Sequence, residues 1–202
     1  MPRREDIIRF DDDTPPVGAS PWVVSPTVQE IEVVSPNPMW PELFERVAAL
    51  LRDVLGPRAL EVLHVGSTSV PGLPAKPIID VDLIVADPAR EDGWLPALVS
   101  AGLVLTVREP WWYEHRMLRC AAPLANIHVF GPDSPEPWKH RIFRDHLRDD
   151  RGDRELYAAV KKEAATCSNE QGGGTVMAYN RRKQEIIREI YGRAFANAGL
   201  LS

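Results

Sequence analysis

The sequence is poor in sulfur chemistry. Its two cysteines, Cys120 and Cys167, cannot build a disulfide framework, and no Cys-x-x-Cys pair offers a zinc site. It also lacks long apolar runs. No stretch approaches the roughly 18 consecutive apolar residues of a membrane span, so no membrane partner is expected. The opening MPRREDIIRFDDD has no apolar segment of signal-peptide length, and a cytoplasmic location is expected. Net positive charge is absent too: the formal charge is −5, which removes any general attraction to nucleic acid. There is no internal repeat. Three glycines follow one another at 172–174, but without the spacing of a phosphate-binding loop.

What is present suits one domain, or one domain with a small appendage: 202 residues, 44% of them hydrophobic. Charge is spread unevenly. Residues 139–193 hold 13 of the 24 Lys and Arg against 9 acids, a net +4 that leaves −9 elsewhere. A locally basic segment in an acidic chain points to a small anionic ligand sooner than to a nucleic-acid track.

The first 27 residues mix acids, prolines and small residues and read as an extended arm or a poorly ordered tail. Ile7, Ile8, Phe10 and Trp22 are the residues able to tack it to the body or to a partner chain, and a homo-oligomer stays open. TVQEIEVVS (27–35) alternates as a first strand. NPMWPELFERVAALLRDVLG (37–56) carries apolar residues at helical spacing, with Asn37 as cap and Gly56-Pro57 as stop. Residues 59–65 and 77–85 read as strands, and 94–105 as a helix that stops near Gly102 and runs towards a strand. Residues 116–122 and 125–131 read as paired strands across a Pro-containing turn. From Trp138 the pattern is helical, over 142–150, 153–167 and 175–199, with SNEQGGG (168–174) as a flexible link. The expected architecture is α/β, a small mixed sheet with helices followed by a helical end. It divides into an arm (1–27), a core (28–137) and a C-terminal part (138–202).

The stretch HVGSTSVPGLPAKPIIDVDLIV (64–85) carries the chemistry. A period of two puts Asp80 and Asp82 on one face of their strand, with Ile79, Val81 and Leu83 on the other. Two neighbouring carboxylates repel, and a divalent cation between them relieves the cost. Hard oxygen ligands suit Mg²⁺ or Mn²⁺. An acid pair at a solvated strand end, held by Arg and Lys, is the plain alternative, and a lone Asp-x-Asp favours it. Gly66-Ser67, directly after a strand, changes the weight. Glycine lets a phosphate approach backbone N–H groups and serine adds a hydroxyl. Twelve residues then separate Ser67 from Asp80.

Gly-Ser followed by Asp-x-Asp on the next strand resembles the signature of the nucleotidyltransferase superfamily. HVGSTSVPGLPAKPIIDVDLIV resembles the GrpB (UPF0157) family almost residue for residue. EVVSPNPMWPELFERVAALL, WWYEHRML, NIHVF, IFRDHLR, LYAAVKKEAA and YNRRKQEIIREIYGRA resemble its further segments in order. The resemblance implies a nucleotidyltransferase-like core. It also implies metal-dependent transfer of a nucleotidyl group from a nucleoside triphosphate, ATP by preference, to a small-molecule acceptor. Asp80 and Asp82 would hold Mg²⁺ or Mn²⁺. A variant activates a carboxylate as its adenylate. A degenerate module that binds a nucleotide or a CoA-like ligand without turnover is the second reading, and a scaffold the third.

The superfamily's third carboxylate is missing. His128 stands in its place, as metal ligand, base or plain structural histidine, with Glu109 and Glu114 as substitutes. Gly66, Ser67 and Lys76 are the nucleotide-binding candidates around the loop, and His64 is a further residue beside it. Lys161 and Lys183 are the best phosphate candidates on the later helices, ahead of Lys162, Arg181 and Arg182, although a solvated helix face is the default for such runs. Arg141, Arg144 and Arg148 share one stripe and would bind phosphate or pair with Asp145 and Asp149. Glu114, His115 and Arg116, beside Trp111 and Trp112, form a polar cluster suited to recognising the acceptor.

Overall fold

A computed structural model describes residues 1–10, 15–27, 30–170 and 176–201. Its centre is a five-stranded sheet: β1 (Glu61–Val65), β2 (Ile79–Ile84), β3 (Val104–Glu109), β4 (His115–Ala121) and β5 (Leu124–Phe130). The strand order is β1-β2-β5-β4-β3, with β2 and β5 parallel and every other pair antiparallel. The 122–123 turn joins β4 to β5 as the sequence predicts.

One sheet face is apolar. Val62, Ile79, Val81, Leu83, Ala125, Ile127, Val129 and Leu118 are buried there. They pack beneath Phe44, Val47, Ala48 and Leu51 of α2 (Trp40–Leu55) and Leu98 of α3 (Leu95–Ser100). α2 begins later than the expected Asn37 cap implies: Met39 is its N-cap without a side-chain cap, Asn37 accepts the Met39 N–H at 2.9 Å in the turn before it, and Pro41 fits its first turn.

The other face is polar and is roofed by α4 (Glu136–Asp149), α5 (Arg151–Glu170) and α6 (Val176–Asn197). Val70 and Leu73, from the loop before β2, pack with Leu147, Tyr157 and Ile190 of these helices. The helical end is thus the second wall of whatever the polar face does.

Three further expectations need correction. Residues 30–33 form no strand; Val34 makes only an isolated bridge to Ala75. Ile31 is buried against Ala164, Ala165 and Tyr179, and Asn169 holds both its N–H and its C=O. The alternation marked a half-buried segment, but its partner is a helix pair and not a sheet. The link at 168–174 is shorter than read, since α5 runs through Glu170; residues 171–175 lie outside the described residues. The 94–105 helix is only Leu95–Ser100, because Gly102 at φ +91° turns the chain into β3.

The N-terminal arm holds a short helix, α1 (Arg4–Ile8). It buries Ile7 against Tyr191 and Phe195, and Phe10 stacks edge-on against Tyr191. Further along, Trp22 bridges Val107 at the free edge of β3.

Candidate functional site

Strand register fixes what the polar face presents. Asp80 and Asp82 on β2 lie beside Asn126 and His128 on β5. His128 lies beside Met117 on β4, and His115, two residues back, pairs with Glu109 on β3. All of these share one face by the period of two.

Each carboxylate has its own partner. Asp80 Oδ1 accepts from Asn126 Nδ2 at 2.9 Å, and Arg119 donates to Asn126 Oδ1 at 3.1 Å. Asp82 is wholly buried and accepts from His140 Nδ1 of α4 at 2.9 and 3.1 Å. Burial works against a charged His140, but the Asp82 charge and hydrogen bond outweigh it and raise its pKa to about 9. Gly66 sits directly over Asp80. It has φ +67°, and a Cβ there would lie 2.5 Å from Asp80 Oδ2, so only glycine leaves the carboxylate in place.

Around Asp80 the structure gathers three lysines. Lys161 and Lys183 are 1% and 7% exposed, a burial that charged ammonium groups do not accept without a counter-ion. Lys76 joins them from the loop. Among the described residues, Asp80 is the one carboxylate whose charge acts on all three. Burial, and then repulsion within the group, pushes the Lys161 pKa well down and that of Lys183 to about 7. Lys161 Nζ donates to the Pro74 carbonyl. Lys183 lies over the rings of Tyr179 and Tyr157, at 4.0 and 5.9 Å, and Lys76 over Tyr179 at 5.3 Å. The Tyr179 hydroxyl is buried with no hydrogen-bond partner among the described residues. The Tyr157 side chain hydrogen-bonds Ser67. Burial lowers the pKa of all three lysines, so they hold their full charge only with more negative charge beside them, and the unmatched hydroxyl leaves room for an acceptor.

A second row crosses the sheet beside Asp82. Glu109 Oε2 lies 2.6 Å from His115 Nδ1, and His115 Nε2 lies 3.0 Å from His128 Nδ1. Burial lowers the pKa of His115 to about 3 and of His128 to about 4, so both rings are neutral at pH 7, and it lifts that of Glu109 to about 7.

The remaining candidates separate. Arg116 points to the opposite face from His115, where it shares Glu91 with Arg108 at 2.6 Å each. The Glu114 side chain is half exposed, 3.4 Å from Arg116. The polar cluster read from 114–116 is therefore split, because adjacent residues of a strand face opposite ways. His64 belongs to the apolar face, stacked on Phe44 at 4.6 Å. Lys162, Arg181 and Arg182 are exposed. Arg144 and Arg148 donate to the carbonyls of His64 and Ser69, so they brace the loop; both also lie within 3.5 Å of Asp145. Arg141 instead meets Glu61 at 3.1 Å. Sequence reading missed His140, Asn126, Tyr157 and Tyr179. The available signal was the i, i+4, i+8 stripe His140–Arg144–Arg148, all of which point at the loop and sheet.

Asp80 and Asp82 share one face and are the carboxylates there that could hold a magnesium ion completed by water and phosphate oxygens, with Asp82 buried and already hydrogen-bonded to His140. They do not form an all-protein site. Among the described residues, three metal-ligating side chains converge only at His146, Asp150 and Asp153, elsewhere in the helical part.

These features define a mixed α/β protein whose polar sheet face is closed over by helices. The chain belongs to the GrpB family: the family model for GrpB protein matches residues 30–193. The UPF0157 protein BH1888 of Halalkalibacterium halodurans is 43% identical over 173 residues, covering 86% of this chain and 87% of that one. A dephospho-CoA kinase of Mycolicibacterium paratuberculosis is 30% identical over 191 residues, 82% of this chain but 46% of its own. A crystal structure of the conserved protein GrpB from Enterococcus faecalis superposes with a TM-score of 0.71 at 28% identity, covering 83% of this chain and 99% of that one. No helix among the described residues is long and apolar enough to cross a membrane.

Proposed function

We propose that this chain is a metal-dependent, nucleotidyltransferase-like enzyme that takes a nucleoside triphosphate, ATP by preference, and transfers its nucleotidyl group to a small-molecule acceptor. The observation that carries this reading is the pair of buried lysines, Lys161 and Lys183, with the half-buried Lys76, around the Asp80 carboxylate. A polyphosphate supplies the missing negative charge and an acceptor for Tyr179. Asp80 and Asp82 would hold Mg²⁺ or Mn²⁺, which neutralises charge on phosphate oxygens. Gly66 and Ser67 face the same space. Activation of a carboxylate as its adenylate is the same chemistry at phosphorus and belongs to this reading.

A second reading has a specific observation behind it. His128 replaces the third acid, and Asp82 is already matched by His140. That arrangement suits a module that binds a nucleotide or CoA-like ligand without turnover. The partial likeness to dephospho-CoA kinases makes CoA the first such ligand to try.

The test is thermal stabilisation by ATP, GTP, CTP, UTP and CoA, each with and without Mg²⁺ or Mn²⁺, for the native chain and for Asp80→Asn/Asp82→Asn. A ligand at 100 times its Kd stabilises by about 2.7 kcal/mol. The expected result is a metal-dependent shift with one triphosphate that the double variant loses. Pyrophosphate release with that nucleotide and a panel of small acceptors then separates enzyme from binder. A shift with CoA alone supports the second reading, and no shift with any of them removes both.

A further inference from the structure

The row Glu109–His115–His128 runs from the rim of the sheet to the carboxylate face, and the nucleotide reading assigns it no task beyond His128's position. Its geometry is continuous: 2.6 Å from Glu109 Oε2 to His115 Nδ1, then 3.0 Å from His115 Nε2 to His128 Nδ1. His115 is linked through both ring nitrogens and His128 through Nδ1, so each ring can take a proton on one nitrogen and release one from the other. His128 Nε2 makes no hydrogen bond among the described residues. Trp112 packs edge-on against His115 and Phe130, and His115 stacks on Phe130 at 4.8 Å, which fixes the ring planes.

We propose that Glu109, His115 and His128 form a proton relay that makes His128 Nε2 a general base on the carboxylate face, with Glu109 as the proton's resting place. Its use for deprotonating an acceptor rests on the transferase reading; the relay itself does not. A hydroxyl gives its proton to His128 Nε2. His128 Nδ1–H passes its proton to His115 Nε2, and His115 Nδ1–H passes its own to Glu109 Oε2. The hydroxyl oxygen keeps its electron pair, Glu109 becomes the neutral acid, and both rings end uncharged in the opposite tautomer. No positive charge is ever left on a buried imidazole, which burial would penalise. This is a physical substitute for the missing third carboxylate: the acid is present, but three strands away from Asp80 and Asp82, at the end of a wire.

The charged surroundings are favourable. Glu109 faces His115 of β4, while Arg108 and Arg116 are turned to Glu91 on the other side of the sheet. Towards the far end, His128 meets the fields of Asp80, Asp82 and His140. Burial holds Glu109 near pH 7, where it can both take and return a proton.

The experiment is a ring ¹H–¹⁵N correlation spectrum of the ¹⁵N-labelled full chain between pH 5 and 9, on the native protein and on Glu109→Gln. The relay requires His115 and His128 to stay neutral and to exchange tautomer together at one apparent pKa. It also requires Glu109→Gln to freeze both rings in one tautomer across the range. Independent protonation of either ring to imidazolium overturns the relay. So does a tautomer that ignores pH in the native protein, or a switch that survives in Glu109→Gln. If that variant does not fold, the native titration alone decides. Stabilisation of the native chain by Mg²⁺ and triphosphate is measured on the same sample. Its absence would sink the transferase reading while leaving the relay standing, and the reverse outcome would do the opposite.

Discussion

Two residues show how local geometry constrains the site. Gly66 is held at φ +67° with Asp80 directly behind it. Gly66→Ala is expected to cost roughly 1–3 kcal/mol for a backbone at φ +67° and ψ −171° that only glycine adopts readily, more once Asp80 is displaced, and to abolish metal-dependent triphosphate binding. Urea denaturation and the thermal-shift test check the two parts separately. Lys183 gives a pH signature. Burial lowers its pKa from 10.5 to about 7. Between those values the unfolded chain binds the extra proton, so stability must rise with pH across that window. Lys183→Met, which leaves no buried charge, should be more stable at pH 7 and lose this slope, while triphosphate binding weakens by at least tenfold. Denaturation midpoints from pH 7 to 10 read the slope, and equilibrium dialysis reads the affinity.

At the scale of elements, α4 is the strut between sheet and loop. Its stripe His140, Arg144 and Arg148 contacts Asp82, the His64 carbonyl and the Ser69 carbonyl in turn. The His140–Asp82 contact has the opposite pH sense to Lys183. The folded-state pKa of about 9 stands above the usual 6.5. The contact therefore stabilises fully below about pH 6.5 and is lost as pH climbs through about 9. In metal-free protein, the stability difference between the native chain and His140→Gln should shrink over that interval. A difference that grows with pH would show that His140 is not the cation in this pair.

Elements were also where the sequence was most legible, and for a clear reason. The face shared by Asp80 and Asp82 follows from a period of two within six residues. Gly66 announces itself because a glycine after an apolar strand has few other uses. The convergence of Lys76 with Lys161 and Lys183 had no local signal. These residues lie on a loop and two helices about a hundred positions apart, and only packing brings them to Asp80. His140 was hidden for the same cause, since nothing in WKHRIF says which strand it will meet. Glu109 appeared only as a stand-in acid, because a strand's register with its neighbour decides whether its last residue points in or out. The cluster at 114–116 failed on the same alternation that succeeded at 80–82: it was read as a patch when it lies at the start of β4.

At the scale of the whole molecule, the pocket exists only where α5 and α6 close over the polar face. That closure buries lysines beside one carboxylate, and in the free protein burial pushes their pKa values down. A bound polyphosphate supplies the counter-charge, and the gain should appear in the roof. Mg²⁺ with the preferred triphosphate should slow amide exchange by tenfold or more in residues 66–76, 157–165 and 179–187, which carry the loop and the lysine and tyrosine contacts. Exchange in α2 and α3, packed on the opposite apolar face, should be unchanged. Inorganic tripolyphosphate, which has the charges but no base or sugar, should reproduce much of the effect at an ionic strength where chloride gives none. Protection spread evenly over both faces would mean a general shift in global stability. Protection confined to α1 and the 191–200 end would place the anion away from Asp80, and the three lysines would then need another counter-charge.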